Sequence, residues 1–204
     1  QLDSAQNSQE IAKKLLEATR QFGTERVLAG VIPTLGTPPH DQKDNVLIAD
    51  WPVEWANRYF ENGYLFVDPT IQRIDEDRSA FVWRDLYSTK LMGRHQKKVM
   101  NEASEFRLVD GFTISMDTLD GAVVGLSFAG SQLDISKNAQ NSIQLIATYA
   151  IARALMLREA VKKPRSTLTE REKSALMWAA EGKTRWEIGQ LMGITEHGAD
   201  RHLR

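Results

Sequence analysis

The stretch LTEREKSALMWAAEGKTRWEIGQLMGIT, residues 168–195, carries three helix starts and two helix stops in succession. Thr169 is followed three residues on by Glu172, and Thr184 by Glu187. In each pair a hydroxyl and a carboxylate can satisfy one another's orphan backbone amides as a capping box, so a helix begins at both places. Gly182 and Gly193 stand where a residue at ease with positive φ ends the preceding helix, and Thr195 opens a third. Helix, tight turn and helix make a helix-turn-helix whose last helix would enter the major groove of double-stranded DNA. Ala175, Leu176, Ala179, Ile188, Leu191 and Ile194 are its expected apolar core. Lys183, Thr184 and Arg185 surround the start of the middle helix, where side chains and amides meet phosphate. Glu196, His197, Asp200, Arg201 and Arg204 fall on the last helix and are the candidates for base edges. Capping signals mark helices of any kind, so an ordinary helical bundle satisfies them equally well.

The 204 residues suit one domain of ordinary size plus a small one, and 42% hydrophobic residues are enough to fold both. Cysteine is absent, which excludes a disulfide framework and a Cys-based zinc site. No apolar run approaches the ~20 residues that span a bilayer, and no signal peptide is visible, so a soluble cytoplasmic protein without a membrane partner is expected. The net charge of −1 hides an asymmetry: residues 161–204 hold nine Lys or Arg against six Asp or Glu, leaving the remainder acidic. A basic end joined to a mildly acidic partner domain fits DNA contact, although so small a surplus also occurs on ordinary solvated faces.

Upstream of Lys162-Lys163-Pro164-Arg165-Ser166, which reads as a linker, strand and helix patterns mix. The division expected is therefore 1–161, a linker at 162–167, and 168–204. Apolar or β-branched runs at 26–32, 45–49, 80–83, 112–117 and 122–128 are strand candidates, with a hairpin turn at Asp120-Gly121. Helical spacing appears at 9–21, 53–61, 94–108 and 134–159. The fold class expected is α+β: an antiparallel sheet with helices on both faces, an α/β/α sandwich, followed by a small all-α helix-turn-helix domain. Ile135, Ile143, Ile146, Ala150, Ile151, Ala154 and Leu155 of the last long helix offer apolar surface for a homodimer, or for packing on the helix's own sheet.

Between residues 51 and 83 the chain is dense in rings: Trp51, Trp55, Tyr59, Phe60, Tyr64, Phe66, Phe81 and Trp83. Trp51, Trp55 and Tyr59 recur every fourth residue and so share a face of a helix or its approach. Such a stripe is more often core than ligand box. Asp68 beside it needs a donor if buried; it either receives one from a ligand or caps the helix that Pro69 would begin.

The string at 168–195 closely resembles the DNA-binding domain of LuxR-type transcription regulators. WPVEWANRY (51–59), NGYLFVDPT (62–70) and FVW (81–83) resemble the autoinducer-binding domain of the same family, which binds N-acyl-homoserine lactones. The family's Trp, Tyr, Asp, Pro, Trp and Gly fall on Trp55, Tyr59, Asp68, Pro69, Trp83 and Gly111. The resemblance implies that the Trp55 indole donates to a lactone carbonyl and that Asp68 accepts the acyl amide N–H. It further implies that Tyr59 and Trp83 wall the cavity, that Ser127 can reach the amide or a 3-oxo group, and that Tyr64 and Gly111 belong to the same site. It implies no cofactor beyond this signal ligand, an operator as partner, and a homodimer. Three departures stand out. Trp51 replaces a tyrosine common in the family, Gly198-Ala199 replace a usual Thr-Val pair, and the chain stops at Arg204 inside the recognition helix, where the family continues into a fourth. With Gln1 in place of methionine, this end reads as trimming; taken at face value it describes an antiactivator that pairs with full-length partners.

An enzyme acting on the lactone is the alternative from another class. Gly125-Leu126-Ser127-Phe128-Ala129-Gly130 has its second glycine one residue too far for a nucleophile elbow. Of the four histidines, His40 and His95 are the bases in this domain, and no H-x-x-x-H spacing offers a metal site. Catalysis and metal binding are not expected.

Overall fold

The computed structural model describes residues 2–88, 92–161 and 168–203, so the expected linker at 162–167 and Arg204 lie outside the described residues. The chain divides into two compact units, Gln1–Val161 and Lys162–Arg204. The first holds α1 (Ser8–Thr19), β1 (Arg26–Val31), α2 (Pro39–Gln42), β2 (Val46–Ala49), α3 (Val53–Glu61), α4 (Pro69–Glu76), β3 (Phe81–Val82), α5 (Trp83–Ser88), α6 (Arg94–Glu105), β4 (Asp110–Asp117), β5 (Val123–Gly130) and α7 (Lys137–Val161). The second holds α8 (Glu170–Ala180), α9 (Arg185–Met192) and α10 (Glu196–His202).

The five strands form one antiparallel sheet in the order β2-β1-β5-β4-β3. Because side chains alternate along a strand, each strand feeds two layers. Val27 and Ala29, Phe112 and Ile114, and Val124, Leu126 and Phe128 join a core with Ile11 and Leu15 of α1 and Ile143, Ala147 and Ile151 of α7. Val123 and Ala129, on the other face, join a second core with the rings of α3, Ile74 of α4, and Val99 and Met100 of α6. This is the α/β/α sandwich expected.

Several boundaries move for identifiable reasons. Of the strand expected at 80–83 only Phe81 and Val82 pair with β4, and the chain then turns into α5 with the Trp83 side chain anchored to Thr113. The helix expected to reach residue 21 stops at Thr19, whose Oγ1 donates back to the Leu15 carbonyl at 2.9 Å, and a 3-10 turn follows. The helix expected over 94–108 ends at Glu105 because Arg107 adopts a φ of +64°, returning the Leu108 amide to the Ala103 carbonyl. The last long helix begins at Lys137 rather than 134, after a turn in which Asp134 and Ser136 accept backbone amides. Of the apolar residues named above, Ile143, Ala150, Ile151 and Ala154 are buried in the first core, with Ile146 and Leu155 of α7, and Ile135 in the turn before it, partly so. Among the described side chains of α7, the large apolar ones left exposed are Leu145, Tyr149 and Met156.

In the second unit Ala175, Ile188 and Ala199 are buried, with Trp178, Ala179, Met192, Ile194 and Leu203 packed on them. Leu176 and Leu191, expected in this core, are 41% and 52% exposed. Ala175 with Trp178 and Ala179, and Ile188 with Met192, set the inward faces by i+3 and i+4 spacing, which leaves Leu176 and Leu191 turned outward.

Candidate ligand cavity and helix-turn-helix

A cavity of about 70 Å³ lies between the second face of the sheet and the aromatic layer. Trp51, Trp55, Tyr59, Asp68, Trp83 and Ser127 all line it. Pro52 precedes α3, and the turn of that helix stacks Trp51 against Tyr59 edge-on at 5.2 Å and Trp55 against Tyr59 at 5.7 Å. Such tilted pairs suit the ring quadrupoles and fix the wall.

Asp68 is both helix cap and cavity residue. Its Oδ1 accepts the Thr70 amide at 2.8 Å and the Thr70 hydroxyl at 2.7 Å, with Pro69 opening α4, while Oδ2 accepts the Tyr59 hydroxyl at 2.7 Å. Burial pushes the Asp68 carboxyl above its ordinary range, and the bonds from Thr70 and Tyr59 pull the other way. The Tyr59 phenol lies well above its ordinary value, through burial first and the neighbouring carboxylate second. The Ile71 amide adds a further donor to the carboxylate, which still lines the cavity. Trp55 supplies the opposite need: its Nε1 is buried with no acceptor.

Trp83 is held from two sides. Its Nε1 donates to Thr113 Oγ1 at 2.9 Å, and Thr113 shares a 2.8 Å hydrogen bond with Ser127 across the β4–β5 pair. Its ring lies on Gly111, where a Cβ would stand 2.3 Å from the indole and 2.7 Å from the Phe128 carbonyl oxygen. Gly111 and Tyr64 are behind the wall rather than on it. The Tyr64 ring backs Trp55 at 6.2 Å while its hydroxyl donates to Glu102 at 3.0 Å. Sequence reading missed Gln42, Gly30, Gly125, Thr70, Ile74 and Met100, which also line the cavity. Thr70 could have been found from its place two residues after a capping aspartate; the others carry no local signal.

In the second unit both capping boxes form: Thr169 with Glu172, and Thr184 with Glu187. The amides they receive from Thr169 and Thr184 hold Glu172 and Glu187 below the usual carboxylate range. Gly182 and Gly193 take φ of +80° and +63°, ending α8 and α9, and Thr195 caps α10 through the Gly198 amide. Lys183, Thr184 and Arg185 surround the start of α9, the Thr184 hydroxyl being engaged by Glu187. Arg185 Nε meets Asp200 Oδ1 at 3.1 Å, a pair that draws the Asp200 carboxylate toward α9. Glu196, His197 and Arg201 are exposed on α10.

Residues 7–154 match the autoinducer binding domain, and residues 166–204 match the bacterial regulatory proteins of the luxR family. The chain belongs to the LuxR family of autoinducer-binding transcription regulators. It is 31% identical over 195 residues to the transcriptional activator protein BjaR1 of Bradyrhizobium diazoefficiens, covering 94% of this chain and 78% of that protein. It is 35% identical over 153 residues to the HTH-type quorum sensing-dependent transcriptional regulator RpaR of Rhodopseudomonas palustris, covering 75% of this chain and 63% of that one. The crystal structure of Escherichia coli SdiA shares the fold with a TM-score of 0.74 at 21% identity, over 98% of this chain and 83% of that chain. SdiA in complex with octanoyl-rac-glycerol gives 0.75 at 20% identity, over 98% and 81%. This LuxR-family chain is a transcription regulator with a signal-binding and a DNA-binding domain, in a family that is not enzymatic. Among the described residues no histidine lines the cavity, and no helix is long and apolar enough to cross a membrane.

Proposed function

We propose that the chain binds an N-acyl-homoserine lactone in this cavity and, as a cytoplasmic homodimer, couples that binding to recognition of a two-fold DNA operator. The observation that carries the reading is the unpaired, buried Trp55 Nε1 on a wall shared with the Asp68 carboxylate. A lactone amide has the complementary set: a ring carbonyl to accept from Trp55 and one N–H to donate to Asp68. Tyr59 orients Asp68 through its hydroxyl, Trp83 closes the wall, and Ser127 faces the amide or a 3-oxo group. Leu145, Tyr149 and Met156 form the apolar stripe of α7 that a second copy would cover, giving the symmetry a palindromic site requires. On the DNA side Lys183 and the start of α9 take phosphate, while Glu196, His197 and Arg201 face base edges; Arg185 and Asp200 brace one another beside them. The domain division at 1–161 and 168–204 belongs to this proposal and is supported by the two compact units.

Trp55→Phe tests the assignment, because it keeps most of the ring volume and removes only the donor. Calorimetry with a panel of acyl-homoserine lactones should show about tenfold weaker binding, the effect of one lost buried hydrogen bond. Equal affinity would return Trp55 to a purely packing role.

A further inference from the structure

Among the described residues, three buried side-chain atoms have no hydrogen-bond partner: Trp55 Nε1, Gln42 Oε1 and Arg153 Nε. The first two belong to residues that line the cavity. Gln42 closes α2 and is only 3% exposed. Its Nε2 donates to the Thr37 carbonyl at 2.9 Å. Turning the amide over would set two carbonyl oxygens against each other, so the side chain is fixed with its oxygen as the unanswered atom. A buried amide oxygen without a donor is disfavoured, and an alkyl chain cannot relieve it.

The segment that carries Gln42 meets the sheet away from Ser127, the residue given to the amide above. Ser127 pairs with Leu28, and Gly30, two residues further along β1, pairs with Gly125 on one side and Val46 on the other. Two residues along and one strand across puts Gly30 roughly 8 Å from Ser127. Gln42 lies four residues before Val46, and the Asn45 carbonyl stands 3.0 Å from where a Gly30 Cβ would be. A Cβ on Gly125 would come within 2.9 Å of Ile74 Cδ1, so these two facing glycines of the cavity wall admit Ile74 and the Asn45 backbone close to the sheet at this end. At the other end Trp83 donates to Thr113, and Thr113 shares a single hydrogen bond with Ser127, which uses only one of their two hydroxyl hydrogens.

We propose that Gln42 Oε1 is a second anchor, which selects ligands whose acyl group carries a hydroxyl or similar hydrogen-bond donor at its far end. This rests on the lactone reading above. The test measures dissociation constants for homoserine lactones of increasing acyl length, each made with a terminal methyl and with a terminal hydroxyl. Wild type, Gln42→Met and Gln42→Glu are compared, with melting temperatures recorded for all three.

Wild type should favour the hydroxyl form at the length that reaches Gln42. In Gln42→Met the ratio of the two constants should move at least tenfold toward the methyl form. Gln42→Glu also loses the donor to Thr37 but keeps an acceptor, so it should retain the hydroxyl preference; a general loosening of α2 would appear in both variants alike. A ratio that is the same in wild type and Gln42→Met at every length, or that shifts equally in both variants, would overturn the assignment. Binding of no member of either series would contradict the lactone reading itself, and this inference with it.

Discussion

Asp68 concentrates the chemistry of the site, and its environment gives it a pH signature. Its carboxyl is raised by burial, so the folded state holds that proton more tightly than the unfolded chain does. The ligand-free fold therefore loses this contribution as pH rises from the usual carboxylate range through the raised value. Ligand binding runs the other way, since the amide N–H needs the carboxylate form. Affinity should fall as acid protonates Asp68, whereas Asp68→Asn should bind at least tenfold more weakly and show no such fall; calorimetry across a pH series reads both. Gly111 is decided by space: a methyl there meets the Trp83 ring at 2.3 Å and the Phe128 carbonyl behind it. Gly111→Ala should cost about 1–3 kcal/mol in denaturant unfolding through overpacking, and should weaken ligand binding by displacing the Trp83 wall. No change in either would mean that the indole repacks freely.

At the scale of elements, legibility followed local chemistry. Capping boxes, positive-φ glycines and alternating strands act within a few residues, and α3, α8, α9 and the β4–β5 hairpin could be read from them. The ends that moved depend on something further off. Trp83 leaves its strand because Thr113 and Gly111, about thirty residues on, receive its ring. α6 stops where Arg107 accepts a left-handed conformation that no glycine announces. Gln42 and the Gly30–Gly125 pair enter the cavity only through sheet register, which a single sequence does not display. The same scale governs DNA contact. Lys183 at the start of α9 should act on phosphate, so Lys183→Ala should weaken binding to all sequences alike and lower the salt slope by about 1. Arg201, exposed on α10, should read bases, so Arg201→Ala should relax specificity at particular base pairs by about 1–3 kcal/mol. Equal losses on operator and random DNA for both variants would remove Arg201 from base recognition.

For the whole molecule, the cavity joins ligand to fold. Trp55, Tyr59 and Trp83 are core and cavity wall at once, so a ligand seated there completes one of the two cores of the first unit. The stripe is core, as the plainer reading has it, and the same rings line the cavity. The long helix α7 is similar: Ile143, Ala150, Ile151 and Ala154 are buried in the core beneath it, and Leu145, Tyr149 and Met156 are the apolar side chains exposed on it. A ligand that binds only the folded state raises stability by RT ln(1 + [L]/Kd), about 2.7 kcal/mol at a hundredfold excess over Kd. The most direct measurement is thermal unfolding of the protein with and without a chemically broad panel of N-acyl-homoserine lactones, beside Trp55→Phe. The account predicts a concentration-dependent rise in melting temperature with at least one lactone, reduced in Trp55→Phe; no shift with any member of the panel would contradict it.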